Sequence, residues 1–243
     1  MSLKLNIHSM MKTEQTRQEL IARSLASNGL AGYKKEMLSS SFKENFEAQK
    51  QTGRVVSKVG INFEQGFLKQ TDRSLDMAIK GDAFFEVEST TGNTLYTKNG
   101  SFTLDADRNL MTQEGFYVKG ESGKIQLNPG DNVNTLHFGD NNSLRIVDGI
   151  TGEIREVSKL KIVNFKSNNK LERRSESYFS NNDINNIDNK ENYKLINNAI
   201  ETSNSKPVHE MVGMIQSMRR FEMGNKILEN LKTLSNAEKK TFK

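Results

Sequence analysis

Apolar residues near the N-terminus recur at the three- and four-residue spacing of a helix. No Gly or Pro occurs in residues 3–27, and the pair Asn28-Gly29 that follows is typical of a helix C-terminus. The pattern therefore predicts an amphipathic helix over residues 3–27. A further spacing of four, from Leu38 to Phe42 and Phe46, predicts a second short helix. The apolar positions of the first helix are Leu3, Ile7, Met10, Met11, Leu20, Ile21 and Leu25.

Residues 54–200 change to short runs of β-branched and aromatic residues separated by turn pairs. Such spacing predicts an antiparallel β domain, and Asn99-Gly100 between two runs predicts a two-residue hairpin turn. Residues 180–198 contain eight Asn and are predicted to be an irregular surface segment. The β-type runs are residues 83–87, 94–97, 101–104, 116–118 and 161–165.

A long helix is predicted from Pro207 onward, because Pro suits a first helical turn and residues 203–205 can supply a cap. Its apolar positions form a narrow stripe of the kind that lines a coiled-coil seam. The stripe consists of Met211, Met214, Met218, Phe221, Leu228, Leu231 and Leu234, interrupted by Asn225.

These elements predict a mainly β member of the α+β class. An antiparallel β middle domain is flanked by N- and C-terminal amphipathic helices that pair in a coiled-coil-like layer. The predicted segments are 1–53, an N-terminal helical segment with a connecting arm, 54–200, the β domain, and 201–243, the C-terminal coiled-coil helix. A narrow apolar stripe needs the other terminus or another subunit to cover it.

Composition argues against most chemistry. The chain has no Cys, and its three His stand in no spacing that metal sites use. Nearby carboxylates such as Asp72 and Asp76 suit turns better than acid–base catalysis. Both ends are basic and the middle is acidic, but the basic residues alternate with acidic ones. We expect no catalytic, cofactor-binding or metal-binding residues, no nucleic-acid partner and no membrane span.

Several motifs resemble those of the flagellar rod and hook proteins. Residues 66–85 are similar to the pattern G-x-x-x-x-T-x-x-x-L-D-x-A-I-x-G-x-G-F-F, and residues 96–102 to Y-T-R-N-G-x-F. Residues 25–34 resemble the N-terminal rod motif L-A-N-x-x-T-x-G-[FY]-K. Residues 201–223 resemble the C-terminal signature, closest to the proximal-rod FlgF type of the FlgF/FlgG family. The motif residues are Leu75, Asp76, Gly81, Phe84, Phe85, Gly100, Ser203, Asn204 and Pro207.

The resemblance implies a structural subunit of the bacterial basal-body rod, which polymerises through its terminal helices into a shaft that transmits torque. It implies other rod subunits and the flagellar export apparatus as partners, export without a cleaved signal peptide, and a location in the periplasmic rod. A distal-rod or hook-type axial protein and a non-flagellar β binding module are the alternatives. The expected subunit-packing residues are Ile7, Met11, Leu25, Met211, Met214, Met218, Phe221 and Leu228.

Two departures from the family pattern concern backbone conformation. Ala83 replaces a Gly before the Phe pair, and Arg108 replaces a Gly after Asp107. Since Gly is the residue that adopts positive φ without strain, each replacement implies either a different turn or ordinary backbone angles. Asp76, between apolar neighbours, is expected to accept backbone hydrogen bonds beside a turn at residues 80–82.

Overall fold

The computed structural model describes residues 2–39, 58–139, 142–148, 151–188 and 192–241. The chain divides into two compact units. The helical unit comprises Met1–Ala26, Lys35–Asn62 and Ser205–Lys243, and the β unit comprises Ser27–Lys34 and Phe63–Asn204. In this division both terminal helices and residues 58–62 belong to the helical unit, whereas residues 27–34 and 201–204 belong to the β unit.

The helical unit contains α1 (Ser2–Ala26) and α2 (Pro207–Thr241), which pack against each other. Both helices were predicted, with α1 ending before Asn28-Gly29 and α2 beginning at Pro207. Within the described residues, neither helix has the apolar stretch that a bilayer crossing requires. The mainly β α+β class with paired terminal helices is therefore confirmed.

The predicted short helix after α1 is wrong in its described part. Leu38 lies in strand β1 (Glu36–Ser39), which pairs antiparallel with β2 (Lys58–Ile61) and places Leu38 opposite Val59. The backbone groups of this segment find their partners in a neighbouring strand, so helical spacing of the side chains does not decide the conformation. Phe42 and Phe46 lie outside the described residues.

The β unit is built from antiparallel pairs throughout its described residues. Its strands are β3 (Leu68–Gln70), β4 (Met77–Gly81), β5 (Phe84–Glu88), β6 (Thr94–Thr97), β7 (Phe102–Leu104), β8 (Leu110–Thr112), β9 (Tyr117–Gly120), β10 (Gly123–Lys124), β11 (His137–Phe138), β12 (Ser143–Val147), β13 (Ile154–Lys159), β14 (Ile162–Phe165), β15 (Leu171–Arg173), β16 (Tyr178–Asn181), β17 (Ile187–Asp188), β18 (Tyr193–Asn197) and β19 (Ala199–Glu201). The largest sheet follows the order β15-β16-β6-β5-β9-β8-β7, with β14 also beside β5, and smaller sheets are β11-β12-β13, β18-β4 and β19-β3.

The predicted hairpin at Asn99-Gly100 is wrong. The strands on either side, β6 and β7, do not pair with each other: β6 pairs with β5 and β16, whereas β7 pairs with β8. Gly100 instead passes close to β4, where the amide of Met77 donates to the Gly100 carbonyl at 2.9 Å. Glycine is required here because the two backbones approach each other closely. In the sequence, a glycine required for close approach looks the same as a glycine required for a hairpin turn.

The Asn-rich segment is more regular than predicted. Its described part contains a 3-10 turn at Ile184–Asn186 as well as β17 and β18. The Asn186 side chain is buried and donates to the Ser167 carbonyl at 3.0 Å, and Asn197 Oδ1 accepts from the Phe138 amide at 2.7 Å. Asn amides carry a donor and an acceptor, so these side chains complete the hydrogen bonding between segments.

Arg108 has a left-handed backbone conformation, which Gly adopts without strain. Its φ is +62°, and its amide donates to the Asp105 carbonyl at 3.0 Å to close a turn. Ordinary backbone angles are thus excluded at Arg108, where the side chain also donates from Nη2 to the Asp131 carbonyl at 2.9 Å. Ala83, in contrast, is buried without a positive φ.

Candidate packing surface and family-motif cluster

The two neighbouring aromatic residues of the family motif serve two different parts of the core. Phe85 belongs to the main apolar cluster and meets Phe102 edge-on, with ring centroids 5.2 Å apart. Phe84 points to the opposite face of β5, where its ring lies 5.6 Å from Phe165 and 5.9 Å from both Phe63 and Phe179. Successive strand residues face opposite sides, so β5 is buried on both faces.

Asp76 has a structural hydrogen bond rather than the backbone contacts that were expected. Its Oδ1 accepts from the Ser101 hydroxyl at 3.0 Å and lies 3.6 Å from Arg73 Nη1. The carboxylate is buried, and the isolated bridge between Asp76 and Ser101 joins the two motifs that contain them. The predicted turn at residues 80–82 does not make a hairpin, because β4 pairs with β18 and not with β5.

Lys98 is a buried cation between motif segments. Its Nζ donates to the Gly81 carbonyl and lies 5.2 Å from the centroid of the Phe84 ring. Burial lowers the pKa of Lys98 to about 8; the negative charge of Glu201 opposes this shift, and the positive charge of Lys34 adds to it. Gly81 itself has a φ of +118°, and a Cβ there would lie 2.7 Å from the Asn192 carbonyl oxygen.

A buried ion pair joins the N-terminal and C-terminal motifs within the β unit. Lys34 Nζ and Glu201 Oε1 are 2.6 Å apart, and their side chains are 0% and 1% exposed. Nearby, the Gly32 amide donates to the Glu201 carbonyl at 2.7 Å and the Asn204 amide donates to the Tyr33 carbonyl at 3.3 Å. The motif resemblance singled out residues 25–34 and 201–208 separately, but no sequence signal paired these two charges.

Small and polar residues of α2 lie in close contact with α1. Ser217 is buried, and its hydroxyl lies 2.8 Å from Glu14 Oε2 and 3.1 Å from the Glu14 carbonyl oxygen. A Cβ on Gly224 would lie 2.8 Å from Met11 Cγ, and one on Gly213 would lie 3.4 Å from Ile21 Cδ1. Gly213, Ser217 and Gly224 fall on one helical face, a signal that the sequence analysis missed.

Part of the predicted stripe faces away from α1. A row of apolar side chains on α2 is 48–71% exposed and follows steps of three and four residues, so its members share one side of the helix. We call this set the exposed row. It consists of Val208, Met211, Val212, Ile215 and Met218.

The predicted subunit-packing residues are therefore divided between the two sides of the helix pair. Ile7 is buried, and Met11, Leu25, Met214, Phe221 and Leu228 are partly buried. Met211 and Met218 are exposed and belong to the exposed row. A role in contacts between subunits stays a prediction for each of them. Pro207 begins α2, and Ser203, in the β unit, is buried.

Comparison with known proteins gives matches that cover both units in part. Residues 78–146 match the family described as Flagellar hook protein FlgE/F/G D1 domain. Residues 196–237 match the family described as Flagellar basal body rod FlgEFG protein C-terminal. The chain belongs to the FlgF/FlgG family of flagellar basal-body rod proteins. Both matches include motif residues placed above, among them Phe84, Gly100 and Asn204.

Three relatives of this family illustrate the extent of the likeness. The basal-body rod protein FlgG of Buchnera aphidicola from Schizaphis graminum is 31% identical over 172 residues, which are 68% of this chain and 64% of that protein. FlgF of the same organism is 27% identical over 218 residues, 87% of this chain and 86% of the relative. FlgG of Agrobacterium fabrum is 23% identical over 257 aligned positions, 96% of each chain. The chain thus spans just under two thirds of the first relative and most of the other two.

Proposed function

We propose that this chain is a structural subunit of the flagellar basal-body rod, which polymerises through its α1–α2 helix pair. The observation that carries the proposal is the exposed row on α2. The opposite side of α2 already packs against α1, so the exposed row is available for a neighbouring subunit. Covering each of these half-exposed side chains would contribute on the order of 1 kcal/mol.

The proposal includes no catalytic step. Asp76, the carboxylate most central to the family motif, is held by Ser101 and Arg73 in a buried structural contact. Torque transmission requires stiff packing between subunits instead of a reactive group. Other rod subunits and the flagellar export apparatus are the proposed partners, and the periplasmic part of the rod is the proposed location.

Within the family, we assign the chain to the proximal-rod FlgF type. The support is the C-terminal signature, in which Lys206-Pro207-Val208 and the run 219–223 resemble the FlgF form. Alignment length does not distinguish the two types, since the FlgF relative aligns over 87% of this chain and a FlgG relative over 96%. Labelling the subunit in purified basal bodies would locate it along the rod.

The polymerisation proposal is tested by Ile215→Asp in a motile strain. The exposed row would then carry a carboxylate that loses its hydration when a neighbour packs on it, so we expect loss of motility and of the subunit from purified basal bodies. Gln216→Asp is the matched control, because it adds the same charge at the next exposed position, which is polar and is not one of the apolar side chains of the exposed row. Circular dichroism of both purified variants should retain the wild-type spectrum. Normal incorporation of Ile215→Asp would contradict the proposed packing surface.

A further inference from the structure

The β unit is closed by contacts between segments that are far apart in sequence. Lys34 and Glu201 are separated by 167 positions, yet they form the buried 2.6 Å ion pair described above. Strand β19 holds Glu201 beside β3, with Glu201 opposite Leu68. Three segments meet at this pair: residues 27–34, residues 63–66 and residues 199–204.

Residues 63–66 complete the coordination of both charges. Glu201 Oε1 accepts from the Gly66 amide at 2.9 Å, and Glu201 Oε2 accepts from Gln65 Nε2 at 3.3 Å. Lys34 Nζ donates to the Glu64 carbonyl at 2.8 Å. A Cβ on Gly66 would overlap the Thr202 carbonyl oxygen, so these segments lie in direct backbone contact. The site is thus fully formed only when all three segments are in place.

A buried ion pair differs from a surface pair in what happens when one member is missing. The remaining charge is left without compensation in a dry environment, which is far more unfavourable than the loss of the pair as a whole. The cost of removing Glu201 differs from the cost of removing Lys34, because the positive charge of Lys98 interacts with both residues. Removing Glu201 leaves two buried cations, whereas removing Lys34 leaves Glu201 with Lys98, Gly66 and Gln65.

We propose that the Lys34–Glu201 ion pair is a folding lock: the β unit becomes stable only when residues 199–204 join residues 27–34 and 63–66. Glu201 ends the last strand of this unit. Because a chain is synthesised from its N-terminus, the Lys34–Glu201 ion pair cannot form until all the other strands of the β unit have been synthesised. The inference does not depend on the proposed function, since it concerns only the stability of the β unit.

The lock is tested in the full-length protein by hydrogen exchange of the β9 amides, on a strand that contributes none of the contacts of the ion pair. We expect Glu201→Gln to accelerate this exchange by about 10²- to 10³-fold, the scale of breaking a buried pair. Lys34→Met should accelerate it less, because Glu201 keeps its other partners. The double variant Lys34→Met/Glu201→Gln should exchange more slowly than Glu201→Gln alone, since only Lys98 then remains and it can lose its proton.

A matched control is Lys170→Met, which removes the cation of the exposed 2.9 Å pair between Lys170 and Asp183 in the same unit. Its β9 exchange should equal that of the wild type. The proposal is overturned if Glu201→Gln accelerates only amides at residues 31–34, 65–66 and 199–204, or if Lys170→Met has an equal effect. Should Glu201→Gln be wholly unfolded, the double variant decides: recovered β9 protection supports the lock, and a double variant that is equally unfolded overturns it.

Discussion

The backbone of Gly100 lies directly against the backbone of Met77. The Met77 amide donates to the Gly100 carbonyl at 2.9 Å, and a Cβ on Gly100 would overlap the Met77 carbonyl oxygen and lie 3.0 Å from Phe85 Cε2. The obstacle is backbone on one side and a core ring on the other, so neither can move aside cheaply. This contact joins the motif at residues 96–102 to the one at residues 66–85.

Gly100→Ala should therefore destabilise the protein by at least roughly 1–3 kcal/mol, the usual penalty for overpacking. Thermal unfolding monitored by circular dichroism would measure it. Gly29→Ala is the control, because a Cβ at Gly29 would meet nothing within 4 Å and its φ is not positive. A Gly100→Ala melting temperature equal to that of Gly29→Ala would show that the backbone relaxes at no cost.

Phe84→Ala and Phe85→Ala should each cost roughly 3–5 kcal/mol, as expected for removing a buried aromatic ring. Because the two rings lie in different clusters, Phe84→Ala should weaken the contacts of Phe63 and Phe179, and Phe85→Ala those of Phe102. Urea unfolding of each full-length variant gives the loss in free energy of unfolding. Asp76→Asn, which keeps an oxygen acceptor for Ser101, should lose less than either. An unchanged urea midpoint for Phe84→Ala would show that Phe84 does not contribute to the core.

The seam between α1 and α2 predicts weak helices in the isolated protein. Among the described side chains of α1 and α2, the buried apolar ones are Ile7, Leu20 and Ile21, and most helical stability comes from such burial. We expect amides in both helices to exchange faster than those of β5. Ser217→Ala should accelerate exchange in α1 further, because the Glu14 carboxylate loses a hydroxyl donor worth about 1.5–3 kcal/mol. Thr233→Ala, which removes an exposed hydroxyl from α2, should not. Helix protection equal to that of β5 would contradict this prediction.

The sequence pattern predicted those features that depend on neighbouring residues. The end of α1 before Asn28-Gly29, the start of α2 at Pro207 and the strand around Phe84 follow from local spacing and turn chemistry. Leu38 shows the limit of this method, since pairing with Val59 places it in a strand despite its helical spacing. The Lys34–Glu201 pair could not be predicted from local sequence patterns, because nothing near either residue marks two charges 167 positions apart as partners.

Lys98 gives the stability of the β unit an unusual dependence on pH. Its pKa is about 8 in the folded protein, whereas the ordinary value is 10.5. Between these values the unfolded chain binds more protons than the folded one, so stability should rise as pH increases through this window. Below pH 8 both states carry the proton, and the full cost of burying the charge is present. Above pH 10, Tyr96 acts in the opposite direction and lowers the stability as pH increases. Burial raises the pKa of Tyr96 to about 12, so the folded state retains a proton that the unfolded state loses.

We therefore expect the free energy of unfolding to increase by roughly 2 kcal/mol from pH 8 to pH 10 and to fall above that. Urea unfolding of the full-length protein across this range would measure it. Lys98→Met removes the titrating group and should abolish the increase while leaving the decrease above pH 10. Lys170→Met, at an exposed lysine of the same unit, should leave the rise intact. A flat profile for the wild type, or a rise that persists in Lys98→Met, would show that Lys98 does not titrate in this window.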